Sequence, residues 1–271
     1  MKVRHPSFDL AGLRAHWAPN HEWAHNANAA GIIPSSIEPF LIKVMYRAKA
    51  QLDPHHDAEL LKDIDTFIRQ EGQHYKMHEQ FNEAIAADGY PGLLGHDQLL
   101  KKDYAEFLVT RDLEWLVTYV EAFESIVVVG VPQWVDLGWG ETYFSGADER
   151  VVRLWRWHLA EEYEHRTVAY RLFKRVCSGT PEEVEQKRVD MLNFFLGHLH
   201  QRLLPVRSYL LEVDRASMTP EELAASQQRE RQVDARLEEF NAAVADVMAP
   251  TWDPAILPPP ERLAEAFALV E

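Results

Sequence analysis

The sequence contains a single cysteine, Cys177, among its 271 residues. One cysteine excludes an intramolecular disulfide, and it excludes zinc or iron–sulfur sites that are built from several thiolates. Basic residues are also scarce, because 28 lysines and arginines stand against 43 aspartates and glutamates, which gives a formal net charge of −15. Such a chain would repel phosphates unless it carried a basic stripe, so we expect no nucleic-acid partner.

Two segments that could be a secretory signal or a membrane span lack the continuous apolar run that such segments need. Residues 1–17 are interrupted by charged side chains and histidines, which argues against a secretory signal. The stretch 194–211 contains two histidines and two arginines, which makes it a poor membrane span. We therefore expect a cytoplasmic protein with no membrane span.

The sequence shows almost no strand pattern, and its apolar residues recur at helical spacing between glycine and proline punctuation. The last two helices begin with the same Thr-Pro-Glu-Glu sequence, which places Thr at the N-cap, Pro at N1 and Glu at N3. The predicted helices are A (35–52), B (57–88), C (97–129), D (147–177), E (181–214) and F (220–248).

Two Glu-x-x-His motifs lie on alternate predicted helices. Glu71 and His74 are on helix B, and Glu162 and His165 are on helix D. Positions i and i+3 of a helix are about 60° apart, so both side chains of a motif can reach one ion. Di-iron and di-manganese helix bundles combine two such motifs with one glutamate from each of the other two helices. This pattern predicts a site for two metal ions.

The remaining two helices should each supply one glutamate. Glu38 lies on helix A, and Glu121 lies in an apolar stretch of helix C, where an unpaired carboxylate would be costly to bury. Glu124, on a nearby face of helix C, is the alternative to Glu121. Four ionised carboxylates would be neutralised by two divalent cations. The predicted metal ligands are Glu38, Glu71, His74, Glu121, Glu162 and His165.

Two further histidines extend the faces that carry the motifs. His78 follows the first motif by one turn, and His158 precedes the second by one turn. Both are candidates for acid–base catalysis or for orienting the ligands. A third Glu-x-x-His, formed by Glu22 and His25, lies outside the predicted long helices, and one such motif is expected by chance in a chain of this length. We do not include it in the site.

These features together predict an all-α fold, in which a ferritin-like four-helix bundle is followed by two additional C-terminal helices. The hydrophobic content of 46% is ample for a core of this size. The expected parts are an N-terminal segment packed on the bundle (1–34), the di-metal bundle (35–179), the additional helices (180–248) and a proline-rich linker with a short tail (249–271).

The segments around both motifs resemble a known family. The stretches Phe67–His74 and Trp157–His165 are similar to the two signatures of the bacterial family of predicted metal-dependent hydrolases, and the similarity covers about residues 15–200. That family in turn resembles the ferritin-like di-metal carboxylate proteins. The resemblance implies the same six metal ligands, and its name implies hydrolytic chemistry.

The leading functional hypothesis is a di-iron oxidoreductase, either an oxygenase or an oxidase, that acts on a small organic substrate. Carboxylate and imidazole ligands suit iron, with manganese or a mixed Fe/Mn pair as alternatives and zinc less favoured. O2 and an external electron donor would then be required. The alternatives are a two-metal hydrolase, with His78 or His158 as the acid or base, and a ferroxidase or iron-binding protein. We expect a homodimer.

Overall fold

The structure, a computed structural model, describes residues 1–270, apart from the side chains of residues 141, 142, 239 and 241. Glu271, the last residue of the predicted tail, lies outside this part. The described chain is helical and has no strand, which confirms the predicted all-α class. The helices are α1 (His21–Ala30), α2 (Ile32–Lys49), α3 (Ala58–Ala87), α4 (Gly92–Thr110), α5 (Leu113–Val135), α6 (Glu141–Phe144), α7 (Glu149–His165), α8 (Val168–Val176), α9 (Pro181–Arg215), α10 (Pro220–Val247) and α11 (Leu263–Ala268), with a 3-10 helix at Pro254–Ile256.

Three predicted helices correspond closely to observed ones. Helix B is α3, helix E is α9 and helix F is α10. The last two begin with the predicted capping boxes, in which the hydroxyl of Thr180 or Thr219 accepts from the backbone N–H of the glutamate three residues later. Helix A corresponds to α2, which begins at Ile32 rather than at residue 35.

Predicted helix C is in fact two helices, α4 and α5. The chain breaks at Arg111 and Asp112, whose backbones are extended. The Asp112 side chain accepts a hydrogen bond from the backbone N–H of Trp115 at 2.8 Å and so caps the start of α5. Apolar residues continue on both sides of this break, and for this reason the sequence pattern did not identify Asp112 as the start of a new helix.

Predicted helix D is also divided. It consists of α7 and α8, which are separated at Arg166 and Thr167. The side chain of Asp148 caps α7 by accepting from the backbone N–H of Arg150 at 2.9 Å. The two Glu-x-x-His motifs are not affected by these breaks, because each of them lies within one continuous helix.

The packing brings α2, α3, α5 and α7 around a common interior. Helix α2 packs on α3 and α4, while α5 packs on α7, α8 and α9. Helix α1, which was not predicted, packs on α9 and α10, and α11 packs on α7. The centre described below lies between α2, α3, α5 and α7.

Helix α5 is the most apolar helix of this interior. Its length and composition would also suit a membrane span, but 72% of its most apolar window is buried inside the protein. Val117, Val120 and Ala122 are fully buried there. Its apolar character therefore matches its position in the protein core.

Candidate metal centre

Seven side chains with metal-binding atoms converge in the interior between four helices. In each of two groups, one ligand atom per residue lies within 4.8 Å of the ligand atoms of the others. Each of the seven side chains is at most 3% exposed. The first group is Glu38, His74, His158 and Glu162, and the second group is Glu71, Glu124, Glu162 and His165.

Helical spacing accounts for most of this convergence. Helix α7 supplies His158, Glu162 and His165, which are four and three residues apart and therefore share one face. Helix α3 supplies Glu71 and His74 in the same way. Helices α2 and α5 contribute one glutamate each.

Glu162 belongs to both groups. Its Oε1 lies 2.9 Å from Nε2 of His158, in the first group, and its Oε2 lies 3.2 Å from Nε2 of His165, in the second. Glu71 also reaches both sides, with Oε1 at 3.2 Å from Nε2 of His165 and Oε2 at 3.5 Å from Nδ1 of His74. The two groups are therefore adjacent parts of one centre.

The hydrogen bonds of His74 identify which of its nitrogens faces the centre. Its Nε2–H donates to Oε2 of Glu161 at 3.0 Å, since a carboxylate oxygen can only accept. Its Nδ1 lies 3.5 Å from Oε2 of Glu71 and 3.5 Å from Oε1 of Glu162. Nδ1 is thus the atom available to a metal ion, and Glu161 holds the ring from outside, as carboxylates do for metal-bound histidines.

The other two histidines are oriented in a similar way. Nδ1–H of His165 donates to Oε1 of Gln70 at 3.2 Å, which leaves Nε2 facing the second group. Nδ1 of His158 lies 2.9 Å from Nε2 of His78, which leaves Nε2 of His158 facing Glu38 and Glu162. Each ring thus has one nitrogen bound outside the centre and one directed into it.

The carboxylates of the centre are not satisfied by the protein alone. Both oxygens of Glu38 and Glu71, and Oε1 of Glu124, have no hydrogen-bond partner within residues 1–270. Burial, reinforced by neighbouring carboxylates, raises the pKa of Glu38 well above its ordinary value and raises the pKa of Glu124 to about 8. Bound cations would remove this cost. Oxygen and imidazole donors suit divalent first-row metals, so these residues fit two metal ions.

Five of the six predicted ligands lie in the two groups, but Glu121 does not. Its Oε1 accepts a hydrogen bond from Ser125 at 2.7 Å and lies 3.8 Å from Nη1 of Arg188, on α9. Glu124 takes the predicted place instead, with Oε2 at 3.4 Å from Nε2 of His165. The reason is that α9 covers the face of α5 that carries Glu121, so that the adjacent face turns toward α3 and α7. Of the two acids considered on this helix, the geometry therefore favours Glu124 over Glu121.

The two histidines predicted to be catalytic have different positions. His158 is a member of the first group, and its spacing of four residues before Glu162 on the same helix face is a signal that the sequence contained. His78 lies outside the groups and contacts His158. Burial, followed by repulsion from His158 and His74, holds the pKa of His78 well below its ordinary value, so its ring is neutral.

A third group of metal-binding side chains, formed by His16, His25 and Asp214, is a hydrogen-bonded network. Oδ1 of Asn28 accepts from the Trp17 indole, so the amide nitrogen of Asn28 faces Nδ1 of His25 at 3.3 Å. The proton of His25 is therefore on Nε2, which donates to Asp214 at 2.9 Å. A nitrogen that donates in this way is not free to bind a metal ion.

The third Glu-x-x-His motif lies in α1, apart from the di-metal centre. Its glutamate, Glu22, pairs with Nε of Arg229 at 2.6 Å, and its histidine, His25, belongs to the network with Asp214. The motif thus joins α1 to α10 and to the end of α9.

A comparison with protein families finds one match over nearly the whole chain. The family model described as predicted metal-dependent hydrolase matches residues 2–256, and this range contains all seven residues of the centre. No curated protein and no solved structure matches the chain.

Proposed function

This chain belongs to the family of predicted metal-dependent hydrolases, and on that premise we propose that it is a hydrolase with two metal ions in the centre. The observation that carries the proposal is the position of Glu162, whose two oxygens lie in different groups. A carboxylate shared in this way suits two ions held side by side, as in hydrolytic sites whose metals are about 3.5–4 Å apart.

The ligands divide evenly between the two ions. Glu38, His74 and His158 would hold the first ion, Glu71, Glu124 and His165 the second, and Glu162 would bind both. The four carboxylates balance the charge of two divalent cations, so the loaded centre is neutral and can remain buried.

A bound metal pair supplies Lewis acidity toward a carbonyl or phosphoryl group and a nucleophile derived from water. The protein positions the donors and holds protons at defined atoms. His74 keeps its proton on Nε2, which donates to Glu161, and His165 keeps its proton on Nδ1, which donates to Gln70. With Nε2 of His158 directed to the metals, its Nδ1–H donates to Nε2 of His78, and the proton of His78 is then on Nδ1. The burial of the centre favours a small-molecule substrate.

A second candidate function is oxidative. Glu-x-x-His pairs on α3 and α7, with single glutamates from α2 and α5, match the ligand pattern of di-iron and di-manganese bundles. That pattern favours iron or manganese in the centre. An oxidase or oxygenase of this kind would consume O2 and would need electrons from an external donor.

One experiment separates the two candidates. Metal-free protein is loaded without O2 with Fe(II), Mn(II) or Zn(II), and each form is assayed against small esters, amides and phosphoesters, before and after O2 is admitted. A hydrolase turns over substrate without O2 and with zinc or manganese. Turnover that requires O2 and is lost with zinc would contradict the hydrolase proposal and support the oxidative one.

The assay needs a matched pair of variants. Glu162→Gln removes the shared carboxylate and should abolish the activity, whereas Glu121→Gln changes a buried glutamate outside the centre and should keep it. Activity that survives Glu162→Gln would show that the turnover comes from another site or from a contaminant.

A further inference from the structure

The residues that orient two of the metal-facing histidines meet at the N-terminal segment. Nη1 of Arg4 lies 2.9 Å from Oε1 of Glu161 and 3.2 Å from Oε2 of Glu164, and the Arg4 side chain is 7% exposed. Arg4 is separated from Glu161 by 157 positions in the sequence. A buried arginine thus binds two carboxylates that are three residues apart on α7.

One chain of hydrogen bonds leads from Arg4 to His74. Oε1 of Glu161 accepts from Arg4, and Oε2 of the same carboxylate accepts from Nε2–H of His74 at 3.0 Å. Glu161 is completely buried, so few other donors compete for its oxygens. The position of Arg4 therefore limits how the His74 ring can turn.

A second chain leads from the same segment to His165. Nδ1–H of His165 donates to Oε1 of Gln70, and Nε2 of Gln70 donates to Oε2 of Glu164 at 2.7 Å and to the backbone oxygen of Lys2 at 3.1 Å. Oε2 of Glu164 also accepts from Arg4. One guanidinium is thus connected to a histidine in each metal-binding group.

We propose that Arg4 is a positioning residue that, through Glu161 and through Glu164 with Gln70, holds His74 and His165 in their metal-binding orientation. The inference rests on the proposed metal centre. A guanidinium suits this task because it stays charged when buried and offers several donors in a fixed plane. Loss of the outer partners of metal-bound histidines weakens metal binding by about 10–100-fold.

A purely structural role for Arg4 is the competing explanation. Its guanidinium also lies 3.6 Å from the ring centre of Phe267, so Arg4 joins the N-terminal segment to α11. A residue that only anchored this segment would change the stability of the protein and leave the metal affinity unaltered. Metal affinity therefore distinguishes the two roles.

The test measures Zn(II) and Mn(II) affinity of the full chain by competition with a chelator, together with the optical spectrum of the Co(II)-loaded protein. Arg4→Met keeps the apolar stem and removes the donors, and we expect a loss of affinity of about 10–100-fold and a changed spectrum. Arg4→Lys should restore part of the affinity. The control is Arg14→Met, in the same segment, where the arginine is 78% exposed and pairs with Asp88.

Two milder variants test the chains separately and guard against poor folding of Arg4→Met. Glu161→Gln should weaken the first ion more than the second, and Glu164→Gln should do the reverse. A wild-type protein that binds no metal would overturn the metal centre and this inference together. Wild-type binding of two ions with unchanged affinity in Arg4→Met, or in both milder variants if Arg4→Met does not fold, would overturn this inference alone.

Discussion

Glu121 and Glu124 lie about one turn apart on α5, but their carboxylates face different neighbours. Glu124 approaches Nε2 of His165 at 3.4 Å, whereas Glu121 accepts from Ser125 and faces Arg188 on α9 at 3.8 Å. One apolar helix thus contributes one acid to the candidate metal centre and another to its contact with α9. This difference leads to opposite expectations for their removal.

Replacing each acid by its amide separates the two roles. Glu124→Gln should remove a ligand and lower the metal content, chiefly by loss of the second ion, because Glu124 belongs only to the second group. Glu121→Gln should retain both ions. Elemental analysis after anaerobic iron loading and gel filtration measures the content. Full occupancy in Glu124→Gln together with loss of metal in Glu121→Gln would contradict the assignment.

The shared position of Glu162 predicts a larger effect than the loss of a ligand on one side. Glu162→Gln should weaken both ions, while Glu38→Gln, which belongs only to the first group, should weaken mainly the first. Calorimetric titration of the metal-free variants counts the binding steps and their affinities. Two unchanged steps in Glu162→Gln would show that this carboxylate does not bind the metals.

Metal removal should lower the thermal stability of the protein. Ions that bind only the folded state stabilise it by mass action, by about 2.7 kcal/mol per site when the free ion is at roughly 100 times its Kd. The carboxylate oxygens of Glu38 and Glu71 are buried and have no hydrogen-bond partner among the described residues, which adds to the cost of the metal-free state. Calorimetric melting before and after chelation, with metal loss verified, measures the change. An unchanged melting temperature would argue against metal binding in the core.

Glu121 predicts a pH effect that is independent of the metals. Burial, only partly offset by Arg188, raises its pKa from the ordinary 4.5 to about 7. Folding favours the protonated form, so the stability from this group is present below pH 4.5 and is lost as the pH rises through about 7. Glu121→Gln imitates that form and should gain roughly 3 kcal/mol over wild type at about pH 8. Urea unfolding with chelator across this range tests it, and a constant difference would refute the prediction.

The Asp214 network predicts the opposite pH dependence. Burial alone would raise the pKa of Asp214, but hydrogen bonds from His16, His25 and Tyr90 hold it well below its ordinary value. The stability from Asp214 is therefore present above about pH 4 and is lost as the pH falls below that. Asp214→Asn should cost about 1.5–3 kcal/mol at neutral pH. Denaturation at pH 7 and pH 3 measures it, and an equal cost at both would contradict the charged role.

The parts of the structure that could be predicted depend on spacing within one helix. A Glu-x-x-His motif places its side chains on one face wherever the helix lies, so Glu71/His74 and Glu162/His165 could be paired in advance. The N-cap sequences of α9 and α10 likewise act through neighbouring residues. The break before α5 was missed because Asp112 interrupts no apolar periodicity.

The parts that could not be predicted depend on how helices turn against one another. The choice between Glu121 and Glu124 is decided by the rotation of α5 about its axis, and Arg188 of α9 shares in that choice from 67 residues away (188 − 121). Arg4 contacts Glu161, which is 157 positions away in the sequence, and no local sequence pattern predicts that contact.

The burial of the centre also has a consequence for the rate at which bound ions would exchange with solvent. Because every side chain of the candidate centre is at most 3% exposed, an ion bound there would not be exchanged at the rate at which it diffuses to the surface. Exchange must await a local opening of the packed helices, so its rate follows the free energy and frequency of that opening. An isotope of the bound metal should therefore enter slowly, with a steep dependence on temperature, even where the affinity of the site is modest.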